Sequence, residues 1–309
     1  MKVALLDARQ GDRNPENSST VAYRNMLVLK HFLGADMYIS AAELRKAPSD
    51  YDAIICGFGS SSTEKEQSTA FLNRNQNARL YWLVGEYEQS TFAPLFYCKR
   101  KFHVLKNYEH EMRNKCASGQ TFVNLNALLA GNAPSKPQKK RYGAIYYGRW
   151  RQDRLVYFAR YLQDAAYLST SPKNMKVFAA HGCNPRYARA MSWEAGRETL
   201  RLFSASLYIE DVYTHTHYNC PANRYYEAIK CGVPMLTQAE AMGTWDRYGL
   251  GIDDWRIVRN AAEMRSIAER LLRDSDFMAS ALDKQAQWGE RAVAEKQSVL
   301  EQIQAVITK

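Results

Sequence analysis

The chain is 309 residues long, too long for one ordinary core and ample for two α/β domains. Hydrophobic residues make up 46% and aromatic residues 12% of it, which excludes a mainly disordered chain. Against 32 Asp and Glu stand 42 Lys and Arg, and the formal charge of +10 suits a polyanionic partner (nucleic acid, nucleotide or anionic membrane) as well as it suits a merely basic protein.

The N-terminus, "MKVALLDARQGD", has too short an apolar run for a secretion signal and meets Asp7 at once. No stretch approaches the roughly 18 apolar residues of a membrane span. Cys56, Cys98, Cys116, Cys183, Cys220 and Cys231 form no C-x-x-C pair, so small buried thiols in a reducing compartment are expected rather than a disulfide framework. The expectation is a cytoplasmic monomer with no membrane partner.

Residues 2–7 predict a strand, "DRNPENSS" a polar loop and residues 21–32 a helix, the opening unit of a nucleotide-binding α/β domain. Short apolar runs follow at "ADMYIS", "YDAIICGFG" and "ARLYWLVGE", separated by polar helical stretches, and "KFHVLKNY" and "QTFVNLN" are two more candidate strands. This alternation predicts a parallel sheet covered by helices. The segment "GNAPSKPQKKR", with two prolines, a serine and four basic residues, has the chemistry of a linker.

A second α/β series is predicted beyond it. It comprises a strand at "YGAIYYG", a helix over 153–166, a strand at "MKVFAA", a helix through "AGRETLRLFSAS", a strand at "LYIE", a helix in "NRYYEAIKCG" and a strand at "PMLTQ". A helical tract over 261–304, with breaks near Asp274 and Gly289, is long enough to return to the first domain. The expected domains are residues 1–136, residues 137–290 and a C-terminal helix over 291–309. Two such sheets facing one another make a cleft, and open parallel sheets bind ligands beyond the carboxyl ends of their strands.

Four clusters are candidates for that cleft. Arg224 and Glu227, three apart, share a helix face, where a carboxylate can accept both ribose hydroxyls and an arginine can meet a phosphate. A surface salt bridge is the plain alternative, and the glycine and proline of "CGVPML" favour a sheet-edge site. In "YYGRWRQDR", Gly148 ends a strand and Arg149, Arg151 and Arg154 follow, a pattern that lets backbone approach a diphosphate while guanidiniums clamp it. A solvated basic turn is the alternative, but three arginines this close repel one another unless an anion is present. In "WLVGEYEQS", Glu86 follows an apolar strand and is a candidate general base, with Glu88 as competitor and an exposed loop acid as the alternative. Lys99, Arg100, Lys101, Lys106, Lys139, Lys140 and Arg141 are candidate phosphate-backbone contacts, although charge runs are more often solvated faces.

His215 and His217 in "THTH" share a side if extended, but no third ligand accompanies them and no metal site is assigned. No motif requires a divalent metal (Mg or Mn) or a tightly bound cofactor, and there is no Walker loop, G-x-S-x-G or G-x-G-x-x-G.

In this order, "MKVALLD", "SSTVAYRNMLVLKHFLGADMYIS", "DYDAII", "LYWLVGEY", "AIYYGRWRQDR" and "NRYYEAIKCGVPML" make the chain resemble the DNA β-glucosyltransferases of T-even phages. These are GT-B enzymes that move glucose from UDP-glucose to 5-hydroxymethylcytosine in DNA. The resemblance runs nearly the whole chain and implies a GT-B fold of two Rossmann-like domains. It aligns Glu86 with the family's catalytic aspartate, Arg151 and Arg154 with its diphosphate arginines, and Arg224 and Glu227 with its phosphate-binding arginine and ribose-binding glutamate. Thr20 falls where the family has a glutamate near the donor sugar. Glu replaces Asp at the base, and the second arginine is one residue closer to the first.

The resemblance implies an inverting transferase that uses a UDP-sugar and acts on a hydroxylated pyrimidine in double-stranded phage DNA, flipped out of the duplex to react. The residues leave open a GT-B transferase for a carbohydrate or small metabolite, and a non-catalytic nucleotide or nucleic-acid binding protein of the same fold.

Overall fold

The computed structural model describes residues 1–6, 21–57, 62–84, 99–107, 116–134, 138–164, 166–191 and 199–309. The chain divides into one unit of Met1–Leu129 with Glu295–Lys309, and a second of Ala130–Ala294.

The first unit holds strands β1 (Val3–Leu6), β2 (Asp36–Tyr38), β3 (Ala53–Cys56), β4 (Arg79–Val84), β5 (Phe102–Lys106) and β6 (Ala117–Phe122). They form one parallel sheet in the order β2-β1-β3-β4-β5-β6. The apolar runs of β1 and β3 are buried along their whole length, as strands covered on both faces must be. Helices α1 (Val21–Leu33), α2 (Ala41–Lys46) and α3 (Ser62–Arg74) connect them. A capping box starts α2: the Ser40 hydroxyl accepts from the Glu43 amide, and the Glu43 carboxylate accepts from the Ser40 amide at 3.0 Å. The last residues of the chain join this unit, where Tyr81 donates to the Val306 carbonyl at 3.2 Å and Asn124 to Glu295 at 2.7 Å.

In the second unit the strands are β7 (Tyr142–Tyr147), β8 (Ala166–Thr170), β9 (Arg186–Arg189), β10 (Phe203–Tyr208), β11 (Met235–Gln238) and β12 (Ile257–Val258), again all parallel, in the order β12-β11-β10-β7-β8-β9. The chain winds outward from β7 to β9 and then returns to the other side of β7. Strand order therefore reverses between β7 and β10, and a ligand crevice belongs at the carboxyl ends of those two strands. Its described helices are α4 (Leu155–Tyr161), α5 (Pro172–Ala180), α6 (Val212–His217), α7 (Asn223–Cys231), α8 (Met242–Tyr248), α9 (Ala261–Arg273) and α10 (Ser275–Thr308), the last of which belongs to the first unit from Glu295 on. One part of its core lies between the β7–β8–β10 face and α4, α5 and α9, around Tyr146, Phe158, Phe178, Leu207 and Leu271.

Several expected elements are corrected. "MKVFAA" is the end of helix α5, not a strand; Ser171 caps that helix through the Asn174 amide, and Pro172 opens it with a preset φ. The strand of that region is Ala166–Thr170, so the preceding helix stops at Tyr161. The strand expected at "LYIE" begins at Phe203, inside the stretch read as helix. "THTH" is helical, not extended, with Asp211 as the cap of α6, so the extended backbone on which a shared side depended is not formed. Finally, α10 runs unbroken through Gly289. A Cβ there would lie 3.1 Å from Ile229 Cγ2, so this glycine serves the close approach of α10 to α7 rather than a helix stop.

Candidate active site

The carboxyl ends of β7 and β10 gather the charged residues of the second unit. Gly148 follows β7 with φ 154°, a conformation open essentially to glycine alone. A Cβ on it would stand 2.8 Å from Arg224 Nη2. Arg224 comes from the first turn of α7, a helix closed by Gly232 in the left-handed conformation, φ 60°. The residue is buried, at 8% exposure. Nη2 donates to the Tyr147 carbonyl at 2.9 Å and the Tyr146 hydroxyl at 3.1 Å, Nη1 donates to Glu210 Oε1, and the guanidinium lies 4.6 Å from the centre of the Tyr146 ring.

Glu227, one turn further along α7 and 1% exposed, accepts the Tyr147 hydroxyl at 2.5 Å. Burial, and then the Glu227 charge, push the Tyr147 phenol well above its ordinary range and keep it the donor in this pair.

The arginines after Gly148 differ from one another. Arg149 is exposed. Arg151 is partly exposed and pairs with Asp153 at 2.5 Å and Asp211 at 3.7 Å. Arg154 is buried, with Nη2 at 2.6 Å from Glu210 and 2.9 Å from Asp211, and Nη1 at 3.2 Å from the Ile209 carbonyl and 3.3 Å from the Tyr146 hydroxyl. Burial alone would raise the Asp211 carboxyl, but Arg154, the Thr214 amide and Arg151 together outweigh it and hold it below its ordinary value. The mutual repulsion expected of this arginine cluster is thus met by Asp153, Glu210 and Asp211. The Nε atoms of Arg154 and Arg224 are buried N–H donors with no acceptor among the described residues.

Gly148, Arg151, Arg154, Arg224 and Glu227 are therefore brought together in the crevice that the strand order defines. Glu210, Asp211, Tyr146 and Tyr147 belong to the same network and were missed from sequence. The readable signal was "IED", two acids at the carboxyl end of an apolar strand. Thr20, Glu86 and Glu88 lie outside the described residues, as does the side chain of His217. His215 is buried, within 3.2 Å of the Glu210 carbonyl and 3.0 Å of the Gln238 amide, and burial lowers its pKa. Among the described residues, no group of three His, Cys, Asp or Glu is placed to hold a metal ion, and no helix is long and apolar enough to cross a membrane.

The basic candidates separate in the same way. Lys99, Lys101, Lys139 and Arg141 are exposed. Arg100 instead donates to the carbonyls of Leu72 and Asn75, both at 2.9 Å, and to that of Ala78, closing the end of α3. Lys106 is 4% exposed at the end of β5. Lys140 donates to the Arg201 and Gly232 carbonyls at 3.0 Å, and burial lowers its pKa to about 8. These three are tied into the fold rather than displayed on a rim.

No protein-family model matches the chain, and no curated protein sequence matches it. Its two parallel six-stranded sheets have the architecture of the GT-B glycosyltransferases. Among solved structures, the DNA-modifying enzyme β-glucosyltransferase, determined with and without uridine diphosphoglucose, matches at a TM-score of 0.75 and 17% identity over 99% of both chains. T4 phage β-glucosyltransferase with UDP and Mn2+ matches at 0.74 and 16%, also over 99% of both. An α-glucosyltransferase bound to UDP and a 13-mer DNA containing an HMU base matches at 0.63 and 10%, over 100% of both. At these identities the likeness is one of fold.

Proposed function

We propose that this chain is an inverting glycosyltransferase that moves a sugar from a UDP-sugar to a hydroxylated pyrimidine in DNA, such as 5-hydroxymethylcytosine. The observation that carries the reading is the convergence of Gly148, Arg151, Arg154, Arg224 and Glu227 at the point where the strand order of the second sheet reverses. A glycine that only a bare backbone can occupy lets the diphosphate approach the end of β7. Arg151, Arg154 and Arg224 neutralise its charge as the sugar leaves, and Glu227, held by Tyr147, accepts the ribose hydroxyls. Fold neighbours solved with UDP or UDP-glucose support the same donor class.

Glu86, two positions after the end of β4, is the proposed general base. It takes the proton of the acceptor hydroxyl as the oxygen attacks the anomeric carbon, while the bond from that carbon to the UDP oxygen breaks on the opposite face. Thr20 is the proposed neighbour of the donor sugar. The exposed Lys99, Lys101, Lys139 and Arg141, with the net charge of +10, would hold the DNA backbone while the base is flipped. Asp153, Glu210 and Asp211 are already engaged by arginines.

The test is UDP release from a panel of UDP-sugars presented with hydroxymethylated DNA, unmodified DNA, free carbohydrates or no acceptor. Release that needs hydroxymethylated DNA is the expected result. Release that depends on a carbohydrate instead, or none under any condition despite UDP binding, would sink the proposed acceptor.

A further inference from the structure

Arg154 and Arg224 present a physical problem. Both are more than nine-tenths buried, and both direct an η-nitrogen at the same Tyr146 hydroxyl, at 3.3 and 3.1 Å. Two guanidiniums this close in a poorly hydrated site repel strongly unless a negative charge lies between them. Glu210 supplies it. The residue is 2% exposed, its Oε1 accepts from Arg224 and its Oε2 lies 2.6 Å from Arg154. The residue is also fixed through its backbone, since its amide donates to Gln238 Oε1 at 2.9 Å and its carbonyl lies 3.2 Å from His215 Nε2.

Arg154 and Arg224 face Glu210 and Asp211, Glu227 is engaged by the Tyr147 hydroxyl, and Arg151 pairs with Asp153 and, at 3.7 Å, with Asp211. An arriving diphosphate meets guanidiniums that already have a carboxylate partner. We infer that Glu210 is a positioning residue that acts as the built-in counter-anion of the donor site, holding Arg154 and Arg224 in place when no diphosphate is bound and competing with diphosphate for them. It keeps the empty site folded and weakens the hold on the nucleotide product, which helps the product leave. This inference rests on the donor-site reading above.

The test compares the wild type with Glu210→Gln, which keeps the shape and an accepting oxygen but removes the charge. Binding of UDP and, separately, of inorganic pyrophosphate is measured by titration calorimetry. Glu269→Gln, an exposed acid of α9 paired with Arg273 at 3.6 Å, controls for net charge and leaves both constants unchanged. The expected result is that Glu210→Gln binds both ligands about tenfold more tightly or better, the scale of one unit charge removed within a few ångströms of a partly screened site.

Equal or weaker binding by a folded Glu210→Gln protein overturns the inference. If the variant is unfolded without ligand, recovery of its tryptophan fluorescence and circular dichroism in millimolar UDP or pyrophosphate supports it, because the phosphate then supplies the missing charge. Failure to recover overturns it. A wild type that binds pyrophosphate but not UDP removes the nucleotide reading, while the pyrophosphate comparison still decides the role of Glu210. If neither protein binds either ligand, both are wrong.

Discussion

Replacing Gly148 by alanine probes the site through its backbone. The residue sits at φ 154°, and forcing a side chain into that region costs roughly 1–3 kcal/mol. The new Cβ would also stand 2.8 Å from Arg224 Nη2. A free arginine tip would simply move. This one is held by the Tyr147 carbonyl, the Tyr146 hydroxyl and Glu210, so movement breaks one or more charge-assisted bonds worth roughly 1.5–3 kcal/mol each. The combined cost, about 3–5 kcal/mol, lowers Tm by at least about 6 °C in a unit of this size. With Arg224 displaced, UDP should bind about 10- to 100-fold more weakly, the equivalent of one lost charge-assisted bond. Calorimetry and thermal unfolding read both effects. Gly182→Ala is the control: Gly182 has φ 75° and no heavy atom within 4 Å of the added Cβ, so it carries backbone strain without the collision and leaves UDP binding intact. Wild-type UDP affinity in Gly148→Ala, or equal loss in Gly182→Ala, would refute the claim that the collision with Arg224 is what matters.

Glu227→Ala and Arg151→Ala each weaken UDP-sugar binding by roughly 1.5–3 kcal/mol in a calorimetric titration; unchanged affinity in a folded Glu227→Ala protein removes the ribose assignment. Glu86→Gln keeps donor affinity but lowers single-turnover rates roughly 10²- to 10⁴-fold, and a loss on Glu88→Gln instead moves the base two residues along. Each charge reversal at Lys99, Lys101, Lys139 or Arg141 that removes a phosphate contact flattens the logarithmic salt dependence of DNA binding by about one unit, whereas Arg100→Ala lowers Tm and leaves that slope alone. Lys140 has a pKa of about 8 in the fold against 10.5 for a free lysine, so the unfolded chain binds the extra proton and stability rises as pH climbs from about 8 toward 10.5. Discounted for partial exposure, that rise is roughly 2 kcal/mol in urea unfolding, and Lys140→Met abolishes it.

What was legible in the sequence was local. The apolar runs of β1, β3, β4, β7 and β11 announce themselves by their length and apolar composition, and α7 by its periodicity and terminal glycine, because each signal lies within a few residues. "MKVFAA" was misread because a short apolar run fits a buried helix as well as a strand, and only the cap at Ser171 and Pro172 separates the two. The residues of the site could be proposed one by one, but their partners could not. Arg224 meets Glu210 across 14 positions, Arg154 meets Asp211 across 57, and Tyr147 meets Glu227 across 80. Likewise the count of lysines and arginines establishes a basic chain, yet Arg100 is withdrawn from its surface by carbonyls 22 to 28 positions earlier. Periodicity and capping are constraints between near neighbours, which a sequence displays directly. Which charge faces which depends on β10 returning to lie beside β7, and only the assembled sheet decides that.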